Sequence, residues 1–98
     1  MTDDMRPLLV FFSEKHSGPS RRMESLLAHI ARKERQRLRV VQVDIHERPD
    51  LVERLSVERA PTLVLVRDRR PVARLEGRAS APRIEAMLED HLATEAVR

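Results

Sequence analysis

The chain has no cysteine, no tryptophan and no tyrosine, and its only glycines are Gly18 and Gly77. Each absence closes off a class of function. Without cysteine there is no disulfide framework, and the redox character of the compartment leaves no mark on the composition. One glycine near a helix start makes no glycine-rich loop that could cradle a phosphate. The apolar run LLVFF is far shorter than the ~20 residues that cross a bilayer. The opening MTDDMRP is acidic where a signal peptide is basic. No membrane association is expected, and the cytoplasm is the default location. A concentrated basic stripe is missing too. Of 19 Lys and Arg only Lys15 and Lys33 are lysine, and these cations alternate with 16 Asp and Glu to leave a net charge of +3. Such alternation belongs to a solvated, salt-bridged surface, so nucleic acid is not an expected partner.

What remains is 98 residues, 41% hydrophobic and 36% charged, the composition of one folded domain over residues 1–98. Phe11 and Phe12 are the only aromatics, so Leu, Val, Ile, Met and Ala must fill the core. Residues 7–13, PLLVFFS, form a continuous apolar run suited to a strand covered on both faces. Ser20 is expected to cap a helix that carries Met23, Leu26, Leu27 and Ile30 on one face and ends near Arg35. Residues 38–45, LRVVQVDI, give a second strand, and a right-handed crossover makes it parallel to the first. A short helix follows at Pro49 with Leu51, Val52 and Leu55. TLVLV and PVARLE then read as a hairpin turning over Asp68 to Arg70, with Pro71 marking a sheet edge. Ser80 caps a last helix with Pro82 in its first turn and Ile84, Met87, Leu88 and His91 on one face. The expected architecture is α/β, a four-stranded mixed sheet flanked by helices in the order β-α-β-α-β-β-α, with its core over about residues 7–92.

Few residues offer independent chemistry. Ser17 beside His16 suggests a nucleophile and base, but sequence neighbours point apart and no carboxylate is placed to orient the imidazole. His16, His29, His46 and His91 fall on different elements without ligand spacing, so no metal and no other cofactor is expected.

The element order, together with His16-Ser17-Gly18-Pro19-Ser20 at the start of the first helix and Ala60-Pro61-Thr62 opening the third strand, resembles the thioredoxin family. The likeness extends over about residues 7–92. The segment VDIHERPDL and Gly77 after the last strand agree with it, and the family's usual first strand and helix have no counterpart. In the family the first motif is Trp-Cys-Gly-Pro-Cys, and the second is an Ile-Pro-Thr loop whose proline is cis. By this resemblance Ser17 and Ser20 stand at the attacking and resolving cysteines. Phe11 and Gln42 stand at the buried aspartate and its lysine. A serine hydroxyl is too weakly acidic to replace the thiolate and forms no disulfide. The resemblance therefore implies a redox-inactive member, not an enzyme of disulfide exchange.

It also implies a use for the retained shape. The cis-proline loop of the family presents backbone groups to an extended partner segment. Here Arg59 precedes that loop, Arg78 follows Gly77, and His16 replaces the tryptophan. The expected partner is a protein with an acidic segment, held by Arg59, Ala60, Pro61, Thr62, Gly77 and Arg78. Two other functions stay open: a weak glutathione or thiol-metabolite binder using Ser17 and the Ala60-Pro61 loop, and a structural subunit that binds through a helix face or sheet edge. An exposed strand edge suggests a homodimer.

Overall fold

The computed structural model describes residues 6–92. The chain follows the expected order: β1 (Leu8–Ser13), α1 (Gly18–Lys33), β2 (Arg39–Asp44), α2 (Pro49–Arg54), β3 (Thr62–Arg67), β4 (Arg70–Glu76) and α3 (Ala81–His91). The sheet order is β2-β1-β3-β4, with β1 and β2 parallel and the other neighbours antiparallel. The result is the mixed sheet that the apolar pattern required. None of the described helices is long and apolar enough to cross a membrane.

The central strand explains why the apolar run is continuous. Side chains alternate across a strand, and both faces of β1 are covered. Leu9 and Phe11 join Met23, Leu27 and Ile30 of α1 and Ile84 and Leu88 of α3 on one face. Val10 and Phe12 join Leu55, Val57 and Val64 on the other, where α2 adds Leu51 and Val52. Both phenylalanines are at most 1% exposed, so the two aromatic residues are divided between the two cores.

Three boundaries differ from the sequence expectation. Ser20 does not cap α1. The helix begins at Gly18 with Ser17 as its cap, because Pro19 fits the first turn, where a missing N–H costs nothing. The apolar period begins only at Met23 and so points to a start that is too late. The helix ends at Lys33 rather than near Arg35, where the Glu34 N–H donates to the Ile30 carbonyl. The β3–β4 turn is two residues, not three. Asp68 and Arg69 both take left-handed φ, at 54° and 69°. This matches the twist of a tight hairpin, although arginine is not a residue that signals one.

Arginine also ties elements together. Arg74 on β4 donates to the carbonyls of Leu55 at 2.6 Å and Ser56 at 3.1 Å, closing the end of α2. Arg67 donates to the carbonyl of His91 at the end of α3. Helix ends leave carbonyls without partners, and here cationic side chains from the β3–β4 hairpin supply them.

Truncating Phe12 removes the only aromatic of the α2-side core. Phe12→Ala is expected to cost about 3–5 kcal/mol, a large share of the stability of so small a domain. Urea unfolding followed by circular dichroism is the check, since the chain has no tryptophan to report by fluorescence.

Candidate functional site

The sheet topology brings two loops to one end of the molecule. Phe12 at the end of β1 lies opposite Thr62 at the start of β3. The segment 14–17 leading into α1 and the segment 59–61 leading into β3 therefore leave the sheet on the same side.

The first loop is held by crossed serine hydrogen bonds. Ser17 Oγ accepts the Ser20 N–H at 3.3 Å, and the Ser17 carbonyl accepts the Arg21 N–H at 3.0 Å. Ser20 is buried, and its Oγ accepts the Glu14 N–H at 3.2 Å. The Ser17 N–H donates to the Glu14 carbonyl at 3.1 Å, turning the chain through His16, whose φ is 71°. Helix entry and preceding loop are thus locked to each other by the two hydroxyls. His16 is exposed, Gly18 is exposed and Pro19 is partly covered. Among the described residues no imidazole hydrogen-bonds to Ser17. The ring of His46, not His16, is engaged, with Nε2 at 3.1 Å from a Glu14 carboxylate oxygen. The nucleophile-base pairing of His16 and Ser17 is therefore not formed.

In the second loop the Ala60–Pro61 peptide bond is cis. Pro61 and Thr62 are buried, and Thr62 Oγ1 donates to the Arg59 carbonyl at 2.7 Å. The Gly77 N–H donates to the Pro61 carbonyl at 2.8 Å. Gly77 has φ 79°, a left-handed conformation that favours glycine. Between these fixed neighbours, neither the N–H nor the C=O of Ala60 has a hydrogen-bond partner among the described residues. Arg59 and Arg78 are exposed on either side. A hollow of about 330 Å³ lies beside this rim, with Arg22, Met23 and Leu26 of α1 facing Arg78, Ala79 and Ser80.

A second hollow, about 360 Å³, opens between α1 and β2 and is polar, with Ser13, Glu24, Gln42 and Asp44 in its lining. The Gln42 amide donates to Ser13 Oγ at 3.1 Å and to Glu24 at 2.8 Å. Asp44 accepts the N–H groups of His46 at 2.8 Å and Lys15 at 3.2 Å, joining the end of β2 to the loop before α1. Sequence reasoning missed this contact. Its only signal was an Asp two residues before His46, the spacing of a side chain that bonds its own backbone. Among the described residues no three His, Asp or Glu side chains are grouped to hold a metal ion.

A family model for thioredoxin matches residues 1–90. The chain belongs to the thioredoxin family. A thioredoxin-like protein of Synechocystis is 31% identical over 84 residues, which cover 86% of this chain and 80% of that protein. The chloroplastic thioredoxin Y1 of Arabidopsis thaliana is 28% identical over 87 residues, which cover 89% of this chain but only 51% of the relative, about half its length. In three dimensions the fold matches Deadhead, a germline-specific thioredoxin of Drosophila melanogaster. The TM-score is 0.83 and the identity 28%, over 90% of this chain and 83% of Deadhead. This chain has no cysteine. Phe11 and Gln42, which the resemblance sets at the family's aspartate and lysine, are adjacent across β1 and β2. Phe11 is 1% exposed and packs as core, while Gln42 bonds outward to Glu24.

Two measurements check the loop. Ser17→Ala is expected to cost about 1 kcal/mol as a lost helix cap. Ser20→Ala strands the Glu14 N–H and is expected to cost about 1–3 kcal/mol, both read by chemical denaturation. The acid limb provides the other. The His46 N–H holds the Asp44 carboxyl below the usual carboxylate range, with further help from Lys15. The Arg48 guanidinium, which binds both oxygens of Asp50, holds that carboxyl down to about 2. Each folded value lies below the unfolded one, so this stabilisation is complete above about pH 4 and is lost as pH falls towards 2. Asp44→Asn and Asp50→Asn are expected to flatten the fall of melting temperature across that window.

Proposed function

We propose that this domain is a redox-inactive thioredoxin-like module that takes an extended, acidic segment of a partner protein on its cis-proline rim. The observation that carries the reading is the Ala60 backbone, whose donor and acceptor have no partner among the described residues while Pro61, Thr62 and Gly77 hold the peptide in place. An added strand satisfies such groups, and affinity by this route comes from main-chain hydrogen bonds. Arg59 and Arg78 give the rim two guanidinium groups suited to carboxylates. The absence of cysteine supports the other half of the reading: no thiolate can attack a disulfide and no second thiol can resolve one. Ser17 and Ser20 act instead as hydrogen-bond acceptors that build the helix entry.

The test is selection from a random peptide library followed by amide chemical-shift mapping. Selected peptides are expected to be rich in Asp and Glu and to shift the amides of Arg59, Ala60, Gly77 and Arg78. Folded Arg59→Ala/Arg78→Ala is expected to bind them at least about tenfold more weakly. Shifts confined to a helix face, or equal binding by the variant, overturn the groove reading. Glutathione titration in the same assay separates a thiol-metabolite site, which would shift Ser17 and Ala60 without any acidic peptide. For the redox half, the unaltered chain is expected to give no reduction of a disulfide substrate with a dithiol donor. Turnover above the donor alone would sink it.

A further inference from the structure

The two edges of the sheet are built differently. On β4, Pro71 removes a donor, the pairing with β3 is broken by a bulge at Leu65/Val66, and Arg70, Arg74 and Glu76 carry charge. These are devices that keep an edge from accepting another strand. At the opposite edge β2 reads Arg39-Val-Val-Gln-Val-Asp44, with four uncharged residues in the middle and neither proline nor glycine. Its register with β1 is unbroken. Among the described residues β2 has no neighbour on its outer side.

The backbone direction says which groups are available. The N–H groups of Arg39 and Ile45 donate inward, to the carbonyls of Pro7 and Ser13. Strand alternation then turns Val41 and Val43 inward as well, and turns the N–H and C=O of Val40, Gln42 and Asp44 outward. The charge along this edge is polar end to end. Arg35, Arg37 and Arg39 lie at or before its start, with Glu34 paired to Arg37, and Asp44 and Glu47 lie at or after its finish, with Arg48 beyond them. A strand that is basic at one end and acidic at the other is complementary to its own antiparallel copy.

The geometry points to a two-fold dimer in which β2 pairs antiparallel with β2 of a second copy of this chain, centred on Gln42. In that register Gln42 faces Gln42 of the second copy and Val40 faces its Asp44, so every outward group finds a partner. Val41 then lies opposite Val43 on the α2 side, and the basic start of each strand lies over the acidic finish of the other. A six-residue edge buries less than a standard interface, so association is weak and concentration-dependent. The cis-proline rim, built on β3 and the β4–α3 connection, is not used and stays open in both copies.

The chain's lack of cysteine makes the test direct. Sedimentation of the unaltered protein up to about 1 mM is expected to show monomer passing to dimer with concentration. Gln42→Pro removes an outward donor and leaves the pairing with β1, and Glu47→Arg, which gives up only an exposed ion pair with Lys15, places like charge over the basic end without touching the strand. Each is expected to weaken dimerisation at least about tenfold. The second variant decides the matter if the first fails to fold. Gln42→Cys puts two Cα atoms about 5.5 Å apart, within disulfide reach. Mild oxidation is expected to trap it as a covalent dimer, whereas Glu89→Cys on α3 stays monomeric. A monomer at all concentrations, a dimer indifferent to Glu47→Arg in folded protein, or equal cross-linking of Gln42→Cys and Glu89→Cys overturns the proposal.

Discussion

Everything in this molecule depends on β1 being buried on both faces while bonded on both sides. Leu9 and Phe11 face one core, Val10 and Phe12 the other, and β2 and β3 pair with its two edges. The strand is therefore fixed in register and in depth. A shift by one residue would exchange the contents of the two cores. The loop after β1 inherits that precision, and so does the start of β3, which lies opposite the strand's end. The candidate site is the place where two loops leave the most constrained part of the sheet.

Sulfur chemistry is absent from the site, and the geometry that would present it persists through oxygen. Ser17 caps the helix and Ser20 anchors Glu14, so each hydroxyl has a structural task. Phe11 fills the core with apolar volume, and the Gln42 amide bonds to buried Ser13 and to Glu24. A carboxylate at Phe11 would be a buried charge with no cation beside it, which is costly. The chain is a thioredoxin-family protein with no cysteine, and its two serines are built into the hydrogen bonding of the helix entry.

The sequence was legible where period and punctuation agree. The continuous run at β1, the apolar β-branched run at β3 and the Ser80-x-Pro82 start of α3 each rest on several residues with one physical meaning, and their types and order were read correctly. The family was legible from the order of two proline motifs within that frame. The start of α1 was misread because its apolar period begins a full turn after its cap, and Ser17 and Ser20 are equally good caps by composition. The Asp68–Arg69 turn was misplaced because left-handed φ is carried there by residues that do not announce it. Arg67 and Arg74 read as solvated surface charge, and their carbonyl contacts depend on distances between elements far apart in sequence. The bond of Asp44 to the Lys15 N–H was hidden for the same reason, since the two lie 29 residues apart.

The crossed serine bonds at the entry to α1 have a consequence for control. A dithiol loop has two covalent forms, and the potential of its surroundings selects between them. Two hydroxyls have only one. The helix entry in this chain has no thiol–disulfide pair to switch, so the shape its two hydroxyls hold does not depend on a cysteine redox state.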